Sequence, residues 1–268
     1  MSIIGYLLVA LVGISLGLIG GGGSILTVPI LVYVMGLSPI IATSYSLFIV
    51  GSTSLVGAIN NYRKGQVQIK TALLFGVSSI STVFFTRKVI VHAIPKTIFQ
   101  IGDFVLTEPV FTMLLFALLM LAASFAMIRN SNKTADVVNN AVRKRNVPKL
   151  LMYGVAIGLA TGLLGAGGGF LLIPTLVLLV GLSMKEAVGT SLLIIALNSL
   201  IGFTGDIGQI KIDWLFLFKT TSIAITGIFI GGSLSKRFNG EKLKKAFGWF
   251  VLVMGIYIVI KEIFFSNH

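Results

Sequence analysis

The chain has 268 residues, 56% of them hydrophobic and only 11% charged, with 21 Lys and Arg against 8 Asp and Glu for a net charge of +13. A soluble domain is nearer a quarter charged, so the composition excludes an ordinary globular fold and points to an integral membrane protein. The basic excess does not indicate nucleic acid, because Lys and Arg fall in short connections between apolar stretches and no basic stripe carries interleaved aromatics. Cysteine is absent, which excludes disulfides and thiolate metal sites.

The opening MSIIGYLLVALVGISLGL carries no basic leading region and no A-x-A-like cleavage site, so it is read as retained structure. It runs into GLIGGGGSILTVPILVYVMGLS (Gly17–Ser38), a glycine cluster followed by a lone proline in apolar sequence. Residues 3–36 are predicted to form a short broken helical hairpin, and apolar segments of spanning length follow at about 40–60, 69–86 and 106–128. Between them RKVIVHAIPKTIFQIGD, beginning at Arg87, has no counterpart later in the chain and is expected to be an external insertion; a lid is the alternative. The only long polar stretch, residues 129–149, has six basic residues against one acidic and is read as a cytoplasmic linker. Residues 150–181 are too few for two full spans and are predicted to dip in and return as a second hairpin. Three more spans are expected at about 186–204, 213–234 and 245–265.

That second hairpin repeats the first. GLLGAGGGFLLIPTLVLLVGLS (Gly162–Ser183) matches Gly17–Ser38 at an offset of about 145, and roughly 19 of about 43 positions from Gly17 to Ile59 are identical. The predicted fold is therefore an all-α membrane protein of two halves, 1–128 and 150–268, each a broken hairpin plus three transmembrane helices. An odd number of spans per half inserts the halves in opposite orientations, as inverted repeats about an axis in the membrane plane. With the linker in the cytoplasm, both termini are expected outside.

The glycine clusters do not form a nucleotide loop, which needs a strand before, a helix after and a soluble βαβ unit around it. Gly13 and Gly17, like Gly158 and Gly162, have the small-xxx-small spacing of close helix packing in lipid. The clusters are different, since each glycine in a helix costs about 1 kcal/mol. They are expected to unwind the backbone, which is tolerated at membrane depth only inside protein or against water. Unwound N–H groups ahead of a short helix make an anion-binding concavity. Candidate binding residues are Gly20, Gly21, Gly22, Gly23 and Ser24 with Gly165, Gly167, Gly168 and Gly169; tight packing of two hairpins without a ligand is the alternative. Ser44, Tyr45 and Ser46, with Thr190, Ser191 and Asn198, add donors that carry no charge, though such groups also glue helices together. Asp206 is a candidate proton-coupled gate and Arg63 a candidate anion attractor, whereas Glu186 reads as a helix-start charge. The only histidines are His92 and His268, so nothing assembles an enzyme site and no cofactor is expected.

The paired G-x-x-G-x-G-G motifs ahead of a proline, ATSYS (Ala42–Ser46), AVGTS (Ala187–Ser191) and the closing GGSLSKRFNGEKLKKAFGWFVLVMGIYIVIKEIF resemble the sulfite exporter TauE/SafE family over nearly the whole chain. The resemblance implies a multi-pass permease of the bacterial inner membrane. Its cargo would be a small anionic substrate, sulfite or an organosulfonate, with export the usual direction. Each negative charge moving out of a negative interior gains about 2.3 kcal/mol per 100 mV, so potential alone could drive export. A passive anion channel and a permease for another anion such as thiosulfate are the alternatives. The partners are that anion and the lipid bilayer, and the chain is compatible with a homo-oligomer.

Overall fold

The structure, a computed structural model, describes residues 3–91, 93–95, 97–101, 104–129, 147–235 and 240–264. In chain order its helices are α1 (Ile3–Ile19), α2 (Gly21–Val34), α3 (Pro39–Arg63), α4 (Ile69–Phe85, continuing as a wider turn over Thr86–Val91), α5 (Glu108–Arg129), α6 (Val147–Leu164), α7 (Gly169–Thr175, continuing over Leu176–Val180), α8 (Met184–Thr204), α9 (Trp214–Leu234) and α10 (Gly240–Phe264). Five segments among the described residues are long and apolar enough to cross a membrane: Pro39–Arg63, Ile69–Val91, Glu108–Phe125, Met184–Thr204 and Trp214–Leu234. Among the described residues the all-helical expectation has one exception. Strands β1 (Thr97–Ile101) and β2 (Phe104–Thr107) pair antiparallel, with Gln100 opposite Val105, in a stretch rich in β-branched and aromatic residues. Most of the expected linker, 130–146, lies outside the described residues, as do His92 and the last four residues.

Both expected hairpins are broken where glycine and proline fall. Gly20 takes φ 74°, a left-handed conformation cheap only for glycine, and ends α1. The chain then winds tightly over Gly21–Leu26 and reverses, so that Met35 returns to lie against Gly5 near the start of α1. Pro29 has no N–H to give, and the helix after it opens to wider spacing over Ile30–Val34, closing with Met35 N donating to Ile30 O at 3.1 Å. In the second hairpin Gly165, Gly167 and Gly168 all have positive φ. Wider spacing again follows the proline, over Leu176–Val180.

α3 and α8 pack together and are the most enclosed of the five long segments. α1 packs on α9, α6 on α4 and α5 on α10. Small residues set these crossings. A Cβ on Gly13 would overlap the backbone of Ala224, and one on Gly158 would meet Ser79; Gly17 abuts Ile228 and Gly231, and Gly162 abuts Thr86. Gly57 faces Leu192 and Ile228, while Gly202 faces Leu47 and Val83. In each of these pairings the second contact is the first moved by about 145 residues, forward in one partner and back in the other.

Candidate functional site

The two glycine turns touch. A Cβ on Gly21 would overlap the backbone of Gly169, and a Cβ on Gly169 would overlap that of Gly21. Gly20 to Ser24 are buried, as are Gly165, Gly167, Gly168 and Gly169. α3 and α8 close around them: Gly20 lies against Val188 and Ile173, and Gly167 against Val50, Ile195 and Ser199. Ser24 Oγ donates to Gly21 O at 2.8 Å, bracing the first turn from within. Ser46 Oγ donates to Gly165 O at 2.8 Å, pinning the second turn to α3.

The remaining candidate side chains divide by what holds them. Tyr45 OH accepts from the N–H of Asp213, the residue before α9, at 2.6 Å, and Thr190 Oγ1 accepts from the N–H of Gln68, the residue before α4, at 3.0 Å. These two clamp loops. Ser191, the counterpart of Ser46, does not grip the opposite turn; its Oγ donates to Val188 O in its own helix at 2.9 Å. Asn198 Oδ1 accepts from Ser79 Oγ at 2.9 Å, while its Nδ2 is buried with no hydrogen-bond partner in the protein. Ser44 Oγ is in the same situation, and so are three side chains that the sequence did not single out as ligands: Thr53, Ser54 and Ser199. Buried groups of this kind normally find partners; Ser199 Oγ lies beside Gly167, and the others sit on α3 and α8, the helices that enclose the turns.

An open cavity of about 530 Å³ reaches this region from one side. It is lined by Gly17 to Ile19 at the end of α1, by Asn60, Asn61 and Lys64 of α3, by Gln66, by Lys185 and Val188 of α8, and by Gly232 and Ser235 at the end of α9. Its volume suits a small ligand with water. The charges at its walls are the cations Lys64 and Lys185. Arg63, the candidate attractor, is exposed and does not line it; the neighbouring Lys64 does. Glu186 serves structure: it completes a capping box with Ser183 and accepts from Gln68 Nε2 at 2.8 Å.

On the opposite side the corresponding space is nearly gone. A residual void of about 10 Å³ is lined by Ile40, Thr43, Leu163, Val91, Ile94 and Glu108, among others. Here the expectation for Arg87 is corrected. It is no external loop residue, because α4 runs on to Val91, past its expected end near 86, and carries Arg87 into the protein. Its side chain is wholly buried, with Nη1 3.3 Å from Oδ2 of Asp206, itself buried just beyond α8. The offset of about 145 could have signalled this, since it sets Arg87 against Gly232, inside the apolar α9.

Long apolar helices, two interrupted hairpins touching inside the protein and a cavity open to one side define a multi-pass membrane transport protein. The chain belongs to the Sulfite exporter TauE/SafE family, whose profile it matches over residues 6–258. It is 31% identical over 252 residues to a probable membrane transporter protein of Xylella fastidiosa strain 9a5c, covering 93% of this chain and 91% of that one. It is 26% identical over 240 residues to the probable membrane transporter protein YdhB of Bacillus subtilis, covering 90% and 93%. No solved structure matches it.

Proposed function

We propose that this protein exports small sulfur oxyanions, sulfite or an organosulfonate, by alternating access between two inverted halves whose glycine turns meet near the membrane midplane. The observation that carries this reading is the cavity of about 530 Å³, walled by Lys64 and Lys185 and ending at the residues just before the first glycine turn. Cations at the mouth of a low-dielectric cleft concentrate anions, and the side-chain amides of Asn60 and Gln66 in its wall can donate to them. The helix contacts that recur at a constant offset support the inverted arrangement. So do two hydrogen bonds: Asp213 N to Tyr45 OH and Gln68 N to Thr190 Oγ1 join residues related by that same offset.

The cavity side carries Arg63, Lys64, Lys70 and Lys185, and the positive-inside rule therefore assigns it to the cytoplasm. The conformation is then inward-facing, with a void of about 530 Å³ inside and about 10 Å³ outside. The broken bond symmetry agrees: Ser46 pins the second turn, while Ser191 leaves the first turn, next to the open cavity, unpinned. Radiolabelled sulfite uptake into proteoliposomes tests the reading. Flux that saturates and is competed by a sulfonate is expected; no flux above empty vesicles for sulfite, thiosulfate and a sulfonate would overturn it, and currents that never saturate would make the protein a channel.

A further inference from the structure

The two sides of the molecule use the same helices in the same register and fill it differently. Moving about 145 residues along the chain takes Gly57, Leu192 and Ile228 to Gly202, Leu47 and Val83, which make the same mutual contacts. The same step takes Gly232 to Arg87 and Asn61 to Asp206. Gly232 and Asn61 line the open cavity. Arg87 and Asp206 occupy the equivalent place on the closed side as an ion pair, their side chains 0% and 2% exposed. The backbone there is tight, a Cβ on Gly205 lying 3.1 Å from Arg87 Cβ.

We propose that the Arg87–Asp206 pair is the outer gate, and that Arg87 takes over the charge of the departing oxyanion when this side opens. The proposal rests on the anion-transport reading above. A buried ion pair is close to break-even against apolar side chains of the same size, so stability alone is a poor reason for one within a membrane-spanning segment. Unlike apolar residues, however, it can separate into two groups that water and an anion solvate. A carboxylate presents oxygens to a guanidinium in the geometry that a sulfite or sulfonate also offers. Asp206 thus holds on Arg87 the place of the substrate. Exchange of one acceptor for the other opens the gate, and the return of Asp206 to Arg87 expels the anion and shuts it.

The cysteine-free chain allows a clean test. Thr43 is 1% exposed and lines the residual outer void, so Thr43→Cys reports opening through its labelling by a membrane-impermeant methanethiosulfonate added outside spheroplasts. Asp206→Asn is expected to speed that labelling at least about tenfold. The neutral pair Arg87→Met with Asp206→Leu is expected to keep the melting temperature and slow labelling, yet lose saturable sulfite flux at least about a hundredfold. Labelling that ignores Asp206, or a neutral pair with native kcat/KM for sulfite, overturns the proposal. Should Asp206→Asn fail to fold, the neutral pair decides alone. Should the native protein move no sulfite at all, the transport reading fails while the labelling still judges the gate.

Discussion

At the scale of single residues, the contact between Gly21 and Gly169 separates packing from conformation. Either glycine changed to alanine puts a methyl into opposing backbone, and the expected loss is about 3 kcal/mol or more, the upper range of overpacking. Gly65→Ala is the control: nothing lies within 4 Å of its Cβ, and only its φ of 70° is strained, so about 1 kcal/mol is expected. Melting temperatures in one detergent rank the three. Ser199→Ala behaves differently. Its hydroxyl is buried without a protein partner beside Gly167, so its removal is expected to leave stability unchanged or slightly raised while KM for sulfite rises several-fold. A fall in melting temperature with KM unchanged would make Ser199 purely structural. Lys64→Gln and Lys185→Gln act at longer range; each is expected to raise KM by about two- to fivefold at low salt and by less as added salt screens the cleft.

At the scale of elements, the hydroxyls of α3 and α8 that face loops do work distinct from those that face the turns. Tyr45→Phe orphans the N–H of Asp213 where α9 begins, and Ser46→Ala frees the carbonyl of Gly165; each is expected to cost about 1–3 kcal/mol. The flux phenotypes differ. Tyr45→Phe should lower stability with KM intact, while Ser46→Ala loosens the second turn and should also change KM. This division was only half legible in the sequence. Glycine clusters, prolines and segment lengths announced both hairpins, because unwinding follows from local backbone preference. The clustered hydroxyls were legible as polar but not in their roles, since whether Thr190 meets a ligand or the N–H of Gln68 depends on a loop about 120 residues away. Arg87 was misplaced for a related reason. Composition alone ends a membrane helix at its first charges, whereas α4 continues past them with Arg87 paired to the buried Asp206, which is distant in sequence.

At the scale of the whole molecule, one asymmetry distinguishes the two sides: a glycine and an asparagine where the cavity is open, an arginine and an aspartate where it is shut. If the halves are otherwise equivalent, exchanging those residues exchanges the faces. Gly232 has nothing within 4 Å of where its Cβ would be, so Gly232→Arg has room to enter the cavity, and Asn61→Asp supplies its carboxylate. Combined with Arg87→Gly and Asp206→Asn, the expected result is an outward-facing protein. Val188, which lines the inner cavity, serves as the reporter for that side, and Thr43 for the other. In the native background Val188→Cys should label quickly from the cytoplasmic side and Thr43→Cys slowly from outside; in the fourfold exchange the order should reverse. Because an ion pair broken on one side is rebuilt on the other, the net change in stability should be small, and melting temperature measures that independently of labelling. Reporters that keep their native order in a folded fourfold variant would mean that the choice of open side does not rest on this pair of residues.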